Sequence, residues 1–172
     1  MKMNKLLHIS NVLDDFFKEE TISKLVEIQE NMSIDFISEK QKYLSFSFDK
    51  RLPANEFPKG LFPFFNRGQA GVCSFCDYVI FTERAGQLFI LLIELKKGKD
   101  NVTKQLNAGH CFAEFVINTL NRVYNSNITP QIRKISIRER HIKPKQKQKE
   151  IIYDNNFCTF SDSKFWLKKY LV

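Results

Sequence analysis

Glycine and proline are scarce, at 6 and 5 of 172 residues, which excludes a collagen-like or low-complexity chain. No apolar run approaches the ~20 residues that a membrane-spanning helix needs. Residues 1–13 carry Lys2 and Lys5 but are interrupted by His8, Ser10 and Asn11, so they lack the apolar segment and small-residue cleavage site of a secretory signal. A cytoplasmic protein without a membrane partner is the expectation. Cysteine is also rare: Cys73, Cys76, Cys111 and Cys158 are too few and too unevenly spaced for a disulfide scaffold, and a reducing compartment keeps them as thiols.

What the chain does contain is apolar material for a core, 43% hydrophobic residues against 27% charged ones, which argues against disorder. Its length predicts a single domain over 1–172, with a core at about 11–137 and a basic segment, short strands and a helix at 138–172. Lys and Arg outnumber Asp and Glu by 27 to 19, a formal charge of +8. The surplus is concentrated: Arg133, Lys134, Arg138, Arg140, Lys143, Lys145, Lys147 and Lys149 face only Glu139 and Glu150 between 131 and 150. A polyanion is the natural partner. The bland reading of the same run is a solvated hairpin or loop that maintains solubility.

Residues 11–32 are rich in Leu, Phe, Ile, Glu and Lys with no Gly or Pro, which predicts a helix, broken near Thr21. Tyr43 to Phe48 alternates with the period of a half-buried strand. From Arg51 to Gly71, prolines and glycines among phenylalanines predict a loop pinned by aromatic rings. Asp77 to Thr82 and Leu88 to Leu95 are β-rich runs around a Gly86 turn, and the second is apolar at both parities. It therefore lies centrally in a sheet covered on both faces by helices. A helix capped by Asp100 follows, with Val102, Leu106, Ala113, Val116, Ile117 and Leu120 at helical spacing. A strand over Ile132 to Ile137, a short strand pair within Ile151 to Phe160 and a helix opened by Ser161 or Asp162 complete the order.

Glu94 and Lys96 share one face of their strand, because they are two residues apart. A turn centred on Ala85-Gly86 pairs residues whose numbers sum to 171, which sets Asp77 opposite Glu94, with Cβ atoms roughly 5 Å apart. Opposed carboxylates repel unless a cation lies between them or one is protonated. A divalent cation resolves the conflict, and oxygen ligands of this kind suit Mg²⁺ or Mn²⁺ with open positions for a phosphate oxygen. Lys96 then holds or deprotonates an attacking water and stabilises developing negative charge. The chemistry is hydrolysis of a phosphodiester. The competing account makes Asp77 and Glu94 surface strand ends and Lys96 a neutralising neighbour.

Cys76-Asp77, the hairpin, Glu94-Leu95-Lys96 and a helix with Lys104-Gln105-Leu106 near its start resemble the restriction-endonuclease-like, or PD-(D/E)XK, nuclease superfamily, over roughly Asn11 to Ile137. The one departure in the motif is Cys76 where the family name has proline. The resemblance implies an α/β fold with a mixed central sheet, an αβββαβ core, flanked by helices on both faces. It implies metal ligation by Asp77, Glu94 and the Leu95 carbonyl, a water-assisting Lys96, and a role for Gln105. A first-helix glutamate completes the site in that family, and Glu19, Glu20, Glu27 and Glu30 all remain open. The implied enzyme is a Mg²⁺- or Mn²⁺-dependent nuclease on DNA or RNA, DNA foremost, in repair, restriction or phage defence, acting alone, as a homodimer or with a partner subunit. The basic residues from Arg133 to Lys149 would hold the backbone without reading sequence. The alternative is an inactive nuclease fold that only binds nucleic acid or serves a larger complex.

Three further patterns carry weaker signals. Cys73 and Cys76 with His110 and Cys111 make a poor zinc set, because adjacent helical residues project about 100° apart; buried free thiols beside Phe75 and Phe112 are the better account. His8, His110 and His141 have no nucleophile arrangement around them and read as core or surface histidines rather than catalytic bases. Phe57, Phe62, Phe64 and Phe65 read as core or loop anchors, with a base-stacking platform as the other reading.

Overall fold

A computed structural model describes residues 4–48, 52–58, 60–139, 150–161 and 163–172. Helix α1 (Lys5–Val12) starts at Asn4, whose side chain accepts from the Leu7 amide at 3.1 Å. Strands β1 (Lys18–Glu19), β2 (Lys24–Glu27), β3 (Met32–Ile37) and β4 (Tyr43–Phe46) precede the long loop. After it come β5 (Tyr78–Arg84), β6 (Gln87–Lys96), helix α2 (Thr103–Val123), β7 (Gln131–Arg138), β8 (Phe157–Phe160) and β9 (Lys164–Trp166).

The main sheet has the order β1-β4-β5-β6-β7-β8 and is mixed. Strands β4, β5 and β6 are antiparallel neighbours, whereas α2 carries the chain over to β7, which runs parallel to β6. The β5–β6 turn is centred on Ala85-Gly86 as expected and has two residues, since Arg84 pairs with Gln87. Ala85 and Gly86 both have positive φ, 50° and 81°, as a hairpin turn matching strand twist requires. Leu88 to Leu95 are buried throughout, as the two-sided apolar pattern of β6 demands.

One face of the sheet is covered by both helices: Ile9 of α1 and Leu106, Ala113, Val116 and Leu120 of α2 pack with Val79, Phe81, Ile90 and Leu92. Among the described residues the other face carries no α-helix, contrary to the expectation. A second sheet of order β2-β3-β9 lies there, with Leu25, Ile34, Phe36 and Phe165 against Ile80, Leu91, Ile93 and Ile135. Two corrections account for it. The predicted helix over 11–32 is instead the end of α1, a short 3₁₀ turn at Asp15–Phe17 and two strands, with the start of a third at Met32. Its Glu and Lys residues favour helix locally, but Met32, Ile34 and Phe36 are buried in alternation with exposed Ser33 and Asp35, and that period of two prevails. The predicted helix near Ser161 is β9, paired parallel to β3, followed by a 3₁₀ turn at Leu167–Tyr170; residue 162 lies outside the described residues.

Smaller differences follow from local bonding. Asp100 does not cap α2; the first helical amide, Thr103 N, is taken by Asn101 Oδ1 at 2.8 Å. Within 151–160 there is one strand, β8, with an isolated bridge from Asp154 to Phe157. The loop before Asp77 is pinned as expected, with Phe57 packed on Phe16 and Phe17 and Phe62 on Phe75. Among the described residues no helix is long and apolar enough to cross a membrane.

Candidate active site

Pairing of Tyr78 with Ile93 and of Arg84 with Gln87 is the register whose numbers sum to 171. Asp77, immediately before β5, therefore comes to Glu94 at the end of β6, and each is only 6% exposed. Asp77 Oδ2 accepts from the Leu95 amide at 2.7 Å. An extended residue directs its N–H and C=O to the same edge, so the Leu95 carbonyl also faces the Asp77 side. Burial, reinforced by the charge of Glu94, pushes the Asp77 carboxyl up to about 9; a hydrogen bond shared with Glu27 acts in the same direction, and the Leu95 amide opposes it. Two carboxylates in one dry place hold a proton or a cation between them. That donor chemistry fits a hard divalent ion: two carboxylates beside a main-chain carbonyl. Among the described residues no three His, Cys, Asp or Glu side chains are gathered as a metal site, so the backbone oxygen and water would complete the shell.

The glutamates left open by the sequence do not come from a helix. Glu27 ends β2 and Glu30 lies in the turn before β3, and this hairpin reaches the end of β6, where Glu30 meets Lys96 and Lys97. Tyr78 anchors it, its hydroxyl bonded to the Val26 amide at 2.9 Å and to the Val26 carbonyl at 3.1 Å. Glu27 is the glutamate that meets Asp77. Glu30 instead takes the Lys96 ammonium on one oxygen and the Lys97 amide on the other at 3.4 Å. That ion pair holds Lys96 above its ordinary range and Glu30 below its own. Glu19 is in β1, at the far edge of the sheet from β7, and Glu20 follows it.

Gln105 occupies the first turn of α2, and its Oε1 is buried without a hydrogen-bond partner among the described residues. Four residues on, Gly109 lies so close to the strands that a Cβ there would be 2.7 Å from Cys76 Sγ and 3.4 Å from Leu92 Cδ2. Because α2 connects parallel strands, it runs opposite to β6. The ~6 Å along the helix from Gly109 to Gln105 matches two strand residues, from Leu92 to Glu94. Gln105 is thereby set toward the carboxylates. Ser136 is the β7 register partner of Glu94, fully buried, with a hydroxyl that likewise has no partner among the described residues. Sequence reasoning misses Ser136; its signal is a single small polar residue between Ile135 and Ile137.

The cationic residues divide. Arg133 donates to the Val172 carbonyl at 3.0 Å and lies 4.6 Å over the Tyr153 ring. Lys134 donates to Asn107 at 2.8 Å, and Arg138 to the carbonyls of Gly98 and Asp100, both at 2.7 Å. Of these three only Arg138, the register partner of Lys96, is at the carboxylate end of the sheet. Arg140, Lys143, Lys145, Lys147 and Lys149 lie outside the described residues, as does His141. All four cysteines are free; Cys76 and Cys158 are buried, whereas Cys73 in the loop and Cys111 on the outer side of α2 are exposed, contrary to the expected burial. Burial and then the Glu94 and Asp77 charges drive the Cys76 thiol well up, which makes it a packing group. His110 is 3.4 Å from Glu114, one turn along its own helix. Comparison of the chain with protein families, with curated proteins and with solved structures finds no match in any of the three.

Proposed function

We propose that this chain is a metal-dependent nuclease of the PD-(D/E)XK type, hydrolysing the phosphodiester backbone of DNA or RNA. One observation carries the reading: Asp77 and Glu94 are buried side by side at the end of the most apolar strand pair, with the Lys96 cation two residues further along the same strand. A β4–β5–β6 antiparallel run followed by α2 and a parallel β7 supports the restriction-endonuclease-like arrangement.

In this reading Asp77, Glu94 and the Leu95 carbonyl hold the ion. A bound Mg²⁺ or Mn²⁺ supplies positive charge to the phosphate and lowers the pKa of a coordinated water. Lys96, kept cationic by Glu30, stabilises negative charge as it develops on the phosphoryl oxygens. Its raised pKa favours this electrostatic role over proton abstraction. Gln105 and Ser136 offer a buried carbonyl oxygen and a hydroxyl beside the acids for orienting water. Arg138 holds the β6–α2 loop, and the basic run after it attracts the polyanion.

The test uses labelled single-stranded, double-stranded and branched DNA and RNA with Mg²⁺, Mn²⁺ or EDTA. Wild type is expected to cleave at least one substrate only with the metal, and Asp77→Ala, Glu94→Ala and Lys96→Ala to lose that cleavage while still melting cooperatively. Cleavage that survives Glu94→Ala would sink the assignment. Salt-sensitive binding with no cleavage of any substrate would favour a binding module instead.

A further inference from the structure

The loop that delivers Asp77 carries a feature that phosphodiester hydrolysis alone does not require. Phe62, Phe64 and Phe65 of this loop, Phe75, and Phe112 and Phe115 of α2 line a cleft of about 570 Å³, inside the ~300–1,000 Å³ typical of small-ligand sites. Several of its rings are not sunk into the core. Phe64 is 76% exposed, Phe115 69% and Phe65 45%. Large aromatic surface left in water marks a site that something covers.

Three observations select the occupant. The cleft begins at Phe75, two residues before Asp77, hence within ~7 Å of chain from the carboxylates. Among the described residues no acidic side chain lines it, and Ser74 is its single hydroxyl. On α2, Ala108, Cys111 and Phe115 form one stripe, which Lys104 extends by one turn toward the acidic site. A cation followed by aromatic faces along one surface suits a chain of phosphates carrying planar bases. A duplex keeps those bases stacked on one another, so unpaired nucleotides alone present faces to Phe64, Phe65 and Phe115.

We propose that this cleft stacks unpaired nucleobases next to the phosphate held at Asp77 and Glu94, so that the substrate is single-stranded there. The inference rests on the nuclease reading for its substrate, but it is tested by binding alone.

The experiment measures affinity in EDTA, where no cleavage occurs, for a fluorescein-labelled 12-mer of thymidine, an abasic 12-mer with the same phosphates and a 12-base-pair duplex. Phe64→Leu and Phe115→Leu each replace an exposed ring with an apolar side chain that cannot stack. Each is expected to weaken the thymidine 12-mer roughly tenfold, to leave the other two probes unchanged, and to be rescued by Phe→Trp at the same position. Equal loss on the abasic strand, unchanged affinity of the leucine variants, or no binding of the thymidine strand would overturn the proposal. So would a wild-type dimer in sedimentation that Phe115→Leu turns into monomer, since the occupant is then a second copy. Stacking without metal-dependent cleavage would refute the nuclease and leave the cleft standing; cleavage indifferent to the rings would do the reverse.

Discussion

Glu30 grips two consecutive residues of the chain leaving the main sheet, its carboxylate taking the Lys96 ammonium on one oxygen and the Lys97 amide on the other. The lysine at the centre of the proposed chemistry is thus oriented by a turn that belongs to a different sheet.

Removing that charge should be felt in the reaction before it is felt in the fold. Glu30→Gln is expected to slow metal-dependent cleavage roughly 10- to 100-fold, the usual range for a group that orients a functional ligand. Its melting temperature should barely move, since the pair is partly exposed. Lys96 loses the partner that raises its pKa, so the alkaline limb of the pH–rate profile should shift to lower pH. An unshifted limb would show that Glu30 serves structure alone.

Asp77 makes stability fall with rising pH. In the folded chain it keeps its proton to about 9, whereas unfolded it loses it near ~3.9. Between these values the unfolded state binds fewer protons, so folding weakens as pH increases. Thermal melts without divalent ions should therefore be higher at pH 5 than at pH 8. Asp77→Asn should flatten the difference and raise stability at pH 8 by about 1–3 kcal/mol, because the amide oxygen still accepts from Leu95. Mg²⁺ should stabilise wild type at pH 8 and leave the variant where it is.

Gly109 is the point where α2 touches the segment carrying Asp77. A methyl group there meets Cys76 Sγ at 2.7 Å, so Gly109→Ala should destabilise by about 1–3 kcal/mol. Cys76→Ala opens space at that point. The double variant is expected to lose less than the two single changes added together, and strict additivity in denaturant titrations would place the strain elsewhere.

The basic residues should separate into two behaviours. Arg138→Ala frees the Gly98 and Asp100 carbonyls and is expected to lower stability by about 1 kcal/mol for each of the two bonds removed. Reversing Lys143, Lys145 and Lys147 should instead weaken nucleic-acid binding and flatten its salt dependence, by ~0.7 in log–log slope for each single-strand phosphate, or ~0.9 for each duplex one, that is no longer neutralised. An unchanged slope would reduce that run to a solubility device.

Where the residues carry a strong local signal, the structure follows the sequence closely. The two-parity apolar run from Leu88 to Leu95, the Ala85-Gly86 turn and the spacing from Leu106 to Leu120 give β6, the hairpin register and α2. That register alone is enough to set Asp77 and Glu94 together. Residues 11–32 mislead because their Glu and Lys content speaks for helix, while the decisive fact, burial of Leu25, Met32, Ile34 and Phe36 against the main sheet, is a tertiary one. For the same reason the choice among Glu19, Glu20, Glu27 and Glu30 is not legible in the sequence. It depends on where a hairpin lands, and that is set by Tyr78 reaching Val26, 52 residues away in sequence. Ser136 is hidden because its meaning comes from a parallel pairing across α2.

The parallel pairing of β3 with β9 joins residues 35–37 to residues 164–166. The hairpin bearing Glu27 and Glu30 therefore finds its edge partner only once nearly the whole described chain has been synthesised. A nascent chain emerging from the ribosome would carry Asp77, Glu94 and Lys96, together with the Tyr78 that anchors this hairpin at Val26, long before β9 is made. Loop closure for the β3–β9 pair is therefore the most demanding among the described strand pairings, with 129 positions separating Asp35 from Lys164.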